Sequence, residues 1–430
     1  MTRLLSILRF SAGFGVARAL LFASPIVLAN LLSLEGYGQF ELAHSYATIG
    51  ALLLGFGLPA TVPLIRLRDE VAGRWDTLLG LIASLAGISL LAAGLAAAGM
   101  RSLYETPVLV LLAIAVLILQ GFWATLLKTD GRSTSAVFVE AGFWGVAVLG
   151  AGLIALTGKW LPDSTITVAL LIYAVGLMTV TLAKLVRART GSFDAKDLRR
   201  NFELGMPLML SSLLTAILSS SGRLILGQSS GVEAVGLYAV LFRSTTIPLV
   251  GHQILIVGFF RHIFSWSEES LRQRLTIIVL GVSAMAAAFW LLEPWLGWLL
   301  GPRFVEVFAA YRAEGLVLLV QTILWSAIAL NDLINSRLQI AGRVTLVTAP
   351  YLLIGLGALY LWVWNHAQSV EISDLLHGFI LGHFCLMAGF YALQCAVSWW
   401  LGHLFIRLWL SVAACTAGAG LLIALTELFL

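Results

Sequence analysis

Apolar runs of about 20 residues alternate with short polar turns along the whole chain. A run of that length crosses ~30 Å of hydrocarbon as a helix. Only helices and closed barrels cross a bilayer with every backbone group satisfied, and the ~10-residue alternating segments of a barrel are absent. Helical spans are therefore predicted near 10–32, 39–65, 77–99, 107–127, 135–157 and 165–186. A second set follows near 204–227, 236–263, 275–300, 308–333, 344–364, 374–400 and 404–428. Between the sets lies a hydrophilic linker, RARTGSFDAKDLRRNFE, at 187–203. The pattern is that of an all-α polytopic membrane protein: six spans, a linker, six spans and one more.

Composition agrees. Of 430 residues, 60% are hydrophobic and 11% charged, too few charges to cover a soluble chain of this length. Lys and Arg divide unevenly between the loops. Arg3, Arg9, Arg66, Arg68, Arg74, Lys128, Arg132, the cluster from Lys184 to Arg200, Arg261, Arg272, Arg274, Arg337, Arg343 and Arg407 fall on one side. Arg101, Lys159, Arg303 and Arg312 fall on the other. That asymmetry places the N-terminus and the 187–203 linker in the cytoplasm, for a protein of the inner (plasma) membrane. The basic pI near 9.1 then reflects topology, with no nucleic-acid partner expected. The first residues resemble a signal peptide, but Arg18 interrupts the apolar run and no small-residue cleavage site follows, so an uncleaved first span is expected.

Several kinds of chemistry have no residues to carry them. Cys385, Cys395 and Cys415 lie in apolar segments without a CxxC or a nearby His, so packing is expected rather than a disulfide or a metal site. There is no Gly-rich phosphate loop, no HExxH and no nucleophile elbow. No loop exceeds about 20 residues, whereas membrane glycosyltransferases and polymerases need a sizeable external loop. The expectation is no enzyme and no cofactor, with the work done among the helices.

The turn SLEGYGQFELAH (33–44) is more polar than a turn requires, and its pattern recurs. Glu35, Gly38 and Phe40 follow the first span; Glu233, Gly236 and Tyr238 follow the seventh, 198 residues later. That placement predicts an internal repeat relating the two six-span halves by an axis along the membrane normal. Here the chain resembles a family. LSLEGYGQFELA and SGRLILGQSSGVEAVGLYAVLFRSTTIPL, with the later LLGPRFVEVFAAYR and RLQIAGRVTLVTAPYLL, are similar to segments of polysaccharide-biosynthesis flippases. These belong to the multidrug/oligosaccharidyl-lipid/polysaccharide exporter superfamily. The resemblance implies two pseudo-symmetric six-helix bundles around a central cavity lined by helices 1, 2, 7 and 8, with one extra C-terminal helix. The bundles would be 1–186 and 204–400, and the extra helix 401–430. Many relatives carry an acidic residue near position 223, where this chain has Arg223.

Those four spans also carry polar rows. On span 7, Ser211, Thr215, Ser219 and Arg223 recur every four residues and share a helix face. On span 8, Arg243, Thr246 and Gln253 fall roughly on one face, span 1 carries Arg18, and span 2 opens with Glu41 and His44. An arginine within the bilayer costs at least ~2.5–3.5 kcal/mol, so Arg18, Arg223 and Arg243 are expected to face water or a ligand. Snorkelling of Arg223 to the outer interface is the rival reading. Arg18, Arg243, Arg223, Gln253, Ser219 and Thr215 are the substrate-binding candidates. Glu41, His44 and Glu140 are the candidates for coupling to H+ or Na+, with pairing of Glu140 to Lys128 or Arg132 as the structural alternative. Asn331 and Asp332 are assigned to the cytoplasmic interface.

A cationic cavity suits a polyprenyl-pyrophosphate-linked oligosaccharide, flipped to the outer leaflet by alternating access, with membrane lipid and polysaccharide assembly machinery as partners. A multidrug/cation antiporter of the same fold, a lipid II flippase and an accessory structural subunit of an assembly complex are the alternatives. Topology is open to direct measurement. With the native cysteines removed, an impermeant thiol reagent on intact cells should label Ser102→Cys and Ser230→Cys and leave Ala195→Cys untouched. Labelling at 195 would reverse the orientation.

Overall fold

The structure is a computed structural model that describes residues 2–59, 61–62, 75–158, 162–187, 195–250, 252, 267–338, 340–403 and 405–429. Among these there is no strand. The helices are α1 (Thr2–Leu31), α2 (Leu34–Gly55), α3 (Trp75–Gly99), α4 (Thr106–Thr129), α5 (Ser133–Leu156), α6 (Ser164–Arg187) and α7 (Ala195–Ser229). There follow α8 (Val232–Thr245), α9 (Glu268–Leu300), α10 (Pro302–Ala310), α11 (Arg312–Arg337), α12 (Ala341–His366), α13 (Ile372–Trp400) and α14 (Ile406–Phe429). Thirteen of them answer to the thirteen predicted spans. The nine-residue α10 is an addition, opened by Pro302 at its first position and burying Phe304, Val307 and Phe308.

Two predicted spans are interrupted as helices, with described residues helical again at 58–59 and 61–62 and at 249–250. Span 2 was expected to reach residue 65, yet α2 ends at Gly55, where Phe56 and Gly57 turn left-handed with φ of 47° and 69°. Span 8 was expected to reach 263, yet α8 ends at Thr245. Pro248 disfavours helical backbone at Ile247, and the chain continues in tight turns, with Ile247 N–H bonded to Ser244 and Leu249 N–H to Thr246. In the other direction, α7 starts at Ala195, inside the stretch expected to be linker.

The chain divides into two compact units, Met1–Leu224 and Ile225–Leu430. The boundary falls inside α7, because the earlier part of that helix is held by the first unit. Phe202 meets Phe56 edge-on at 5.0 Å, and Gly205 lies against the α2 break.

In the first unit α4 is central: α2, α3, α5 and α6 all pack on it, while α1 packs on α5. In the second unit α11 takes the same place, touched by α8, α9, α12, α13 and α14. Eight described helices are long and apolar enough to cross a membrane, so this is a multi-pass membrane protein. In α4 and α11, 72% and 83% of the apolar window is buried, against 22–50% in the other six. The predicted repeat is kept in register. α1 ends at Leu31 and α7 at Ser229; α2 starts at Leu34 and α8 at Val232, each pair 198 residues apart.

The α2 break depends on one backbone approach. A Cβ on Gly57 would stand 2.2 Å from the Gly205 carbonyl oxygen, and a Cβ on Gly205 would stand 2.4 Å from that of Phe56. Gly205→Ala should therefore cost about 1–3 kcal/mol, as overpacking does. Gly145→Ala, where a Cβ meets nothing within 4 Å, should be neutral or stabilise by up to about 1 kcal/mol. Thermal unfolding of the purified variants in detergent checks both.

Candidate functional site

The polar turn after α1 is built from the sequence upward. Ser33 caps α2, its hydroxyl accepting the Gly36 N–H at 3.0 Å, and Glu35 sits in the first turn, where negative charge suits the helix dipole. Tyr104, from the loop before α4, donates its hydroxyl to the Gly36 carbonyl at 3.0 Å. Gln39 returns a bond from Nε2 to the Tyr104 carbonyl at 2.7 Å. Burial, with Asp163 adding repulsion, raises the Tyr104 phenol above its ordinary value, so the hydroxyl remains a donor. Phe40 stacks on Phe143 at 5.4 Å.

One turn further along α2, Glu41 is fully buried. Tyr37 donates its hydroxyl to Oε1 at 2.9 Å, and Arg223 of α7 donates from Nη1 to Oε2 at 2.9 Å. Arg223 Nη2 also reaches the Ser219 carbonyl at 3.2 Å. The side chains of Arg223 and Glu41 are 5% and 0% exposed, so this pair is shielded from water. Such a pair returns little net stability over an apolar replacement, but removing one partner strands a buried charge. Arg223 thus points inward to a carboxylate rather than outward to the interface, and Glu41 is the acid that faces it.

The other predicted residues divide as follows. His44 lies against the rings of Trp144 and Phe143 at 4.7 and 5.1 Å. Glu140 is tied to Lys128, as the structural alternative anticipated. Ser219 donates its hydroxyl to the Ala216 carbonyl at 3.1 Å, and Thr215 is exposed. Arg18 lies on α1, but its side chain is outside the described residues, as are Ser211's side chain and all of Gln253. Arg243 is half-buried near the end of α8, and Thr246 follows that helix with its hydroxyl on the Arg243 carbonyl at 3.1 Å. α8 stops at Thr245, before Thr246, and the Gln253 end of the predicted row lies outside the described residues.

The repeat register separates scaffold from site. Phe40 answers to Tyr238, both buried aromatics, and Gly38 to Gly236. Glu41, however, answers to Ala239, Arg243 to Ser45 and Arg223 to Pro25. These three charges stand where the repeat is broken, whereas Glu35 recurs as Glu233.

A second polar feature was not anticipated. α11 and α13 share a seam of side-chain bonds: Glu314–His377 at 2.9 Å, Gln321–His383 at 2.9 Å, Asp332–Gln394 at 2.9 Å and Asn335–Ser398 at 3.1 Å. Asn331, expected at the interface, is buried against Cys395, and Asp332 accepts from Gln394. The signal was present as spacing: Glu314, Gln321 and Asn335 are seven and fourteen apart, one seam of a helix pair.

Long apolar helices gathered around a central one in each unit, with a charged pair buried among them, define a multi-pass helical membrane protein. The fold is similar to that of an inward-facing multidrug resistance MATE family transporter of the MOP superfamily, with 14% identity, a TM-score of 0.55, and 93% of this chain and 96% of that chain covered. The outward-facing form of a MATE family transporter of the same superfamily gives 0.51 at the same identity and coverage. A MATE in complex with MaD3S also gives 0.51 at 14% identity, over 96% of each chain. Among curated proteins the chain has no match in sequence. The family profile described as "Polysaccharide biosynthesis protein" matches residues 10–258, and the chain belongs to that family.

Glu41→Gln and Arg223→Gln should each destabilise the protein by about 3–5 kcal/mol, the cost of an uncompensated buried charge. The double variant should lose clearly less than the sum of the two. A double-mutant cycle on unfolding in detergent measures this, and additive losses would mean the two side chains are uncoupled.

Proposed function

We propose that the protein is an alternating-access flippase that moves a polyprenyl-pyrophosphate-linked oligosaccharide from the cytoplasmic to the outer leaflet for cell-surface polysaccharide synthesis. The observation that carries this reading is a polysaccharide-biosynthesis profile running through a chain with a transporter fold. In this reading the protein lies in the inner membrane with its N-terminus in the cytoplasm. Residues 1–186 and 204–400 are the two moving bundles, 187–203 links them, and 401–430 is accessory.

The chemistry of the arginines supports an anionic substrate. Arg18, Arg223 and Arg243 bring guanidinium groups, whose planar forks suit phosphate oxygens, into predominantly apolar spans. Thr215, Ser219 and Gln253 are the polar partners for the glycan, and Glu41, His44 and Glu140 are the groups available for H+ or Na+ coupling. Glu41, whose charge Arg223 balances, disfavours the multidrug/cation antiporter reading, since a cationic drug needs an uncompensated carboxylate. A lipid II flippase is a narrower form of the same proposal.

Arg18→Ala or Arg243→Ala should abolish glycan export while leaving protein in the membrane. Losing one charge-assisted contact costs roughly 1.5–3 kcal/mol, or about 10- to 150-fold in affinity. Arg→Lys should restore export only in part. Arg312→Ala is the control, since Arg312 is half-exposed against Glu293 and Trp290, and it should be nearly silent. Normal export by the Arg18→Ala, Arg243→Ala double variant would remove the anion mechanism and leave the fold standing.

A further inference from the structure

We propose that the space between α13 and α14 is a lipid site, which takes one acyl chain of a phospholipid and offers the indole N–H of Trp409 to its ester carbonyl. The proposal goes beyond the flippase reading and does not depend on what the protein transports.

The site follows from the packing. α13 and α14 are consecutive, joined through 401–405, and both lie on α11. α14 also packs on α9, yet α13 and α14 share no comparable contact with each other. The wedge between them is a cavity of about 710 Å³, floored by Val317 and Leu324 of α11. Leu381 and Cys395, at the two ends of its α13 wall, lie about 21 Å apart along the helix axis. A volume of 710 Å³ over that length gives a mean cross-section of about 34 Å². A helix about 10 Å across needs roughly 80 Å². No further helix fits, whereas a hydrocarbon chain does.

The cavity is not closed. Leu381, Ala392 and Ala413 line it and are exposed, so it opens on the apolar exterior of the second unit. In a multi-pass membrane protein that exterior meets lipid. Helices in lipid are held by close packing, and an unfilled wedge would forfeit dispersion contacts on both of its walls. A lipid chain entering from the side restores them.

The polar groups at the cavity select the kind of lipid. The Thr416 hydroxyl is used on the Val412 carbonyl at 2.8 Å, and the Tyr391 hydroxyl has the Cys395 thiol beside it. Trp409 lines the cavity with its Nε1 buried and without a partner. An indole N–H can only donate, and hydrocarbon supplies no acceptor. A phospholipid carries that acceptor, an ester carbonyl, at the head of each acyl chain. The depth agrees. Trp409 lies about 5 Å past the start of α14, and the exposed Trp399 and Trp400 that end α13 mark the membrane interface at this level. From that anchor the chain runs along α13 toward Leu381.

The test is native mass spectrometry of the full-length protein, released from mild detergent and titrated with a synthetic diacyl phosphatidylglycerol. The wild type should bind one lipid clearly more tightly than the rest. Ala388→Trp, which fills the cavity from its α13 wall, should weaken that binding at least about tenfold. Trp409→Phe keeps an apolar ring but drops the donor, and should weaken it by about 2- to 12-fold. The ether-linked analogue of the same lipid lacks the carbonyl. It should lose a similar factor on the wild type and nothing further on Trp409→Phe. Undecaprenyl phosphate at equal concentration should leave the diacyl lipid in place; displacement would assign the cavity to a prenyl chain and overturn the proposal. Binding unchanged by Ala388→Trp, or equal affinity of the wild type for ester and ether lipids, overturns it as well. The ester–ether comparison is made on the wild type, so it decides the matter if either variant fails to fold.

Discussion

Hydrocarbon offers the backbone no hydrogen-bond partner, and the architecture follows from that constraint. Each crossing must be a helix, and helices in lipid gain little from burying apolar surface against one another. They are gathered instead by close packing and by internal polar bonds. Both means are present. α4 is mostly apolar and surrounded by four helices, bonding α5 through Gln120 and α6 through Trp123, while α11 is as central and carries the polar seam to α13 along its length. In both units the central helix is tied to its neighbours by polar side chains as well as by packing.

Within that scaffold, polar groups fall into two kinds. Some are consumed locally: Ser33 at its cap, and Ser45 and Thr48 on carbonyls of their own helix. Others are balanced across helices, as Glu41 is by Arg223. The second kind is the one that function can use, because a partner on another helix can be exchanged when the helices move. Local bonds travel with their helix and carry no such information.

The internal repeat sharpens the distinction. Helix ends, the buried glycine and the buried aromatic recur at a constant offset, as packing demands. Glu35 recurs as Glu233, but Glu41, Arg223 and Arg243 have no charged counterpart.

What the sequence determined by itself was the class and the layout. Run length and the E-x-x-G-x-[F/Y] repeat sufficed for the long helices, the two halves and the polar helices among them, because hydrophobic length is a property of one segment at a time. It could not determine where helices stop when the cause is a backbone approach, as at Phe56 and Gly57 against Gly205, nor add α10, too short to leave a span-length signal. The row Ser211, Thr215, Ser219 and Arg223 was legible as a helix face. That its last member bonds a carboxylate 182 residues away was not, since nothing in either segment encodes the distance between them. Glu41 as a partner, Asp332 and Asn331 as seam rather than surface, and Glu140 on Lys128 are decisions of tertiary packing, where a buried charge or amide must find its complement across helices.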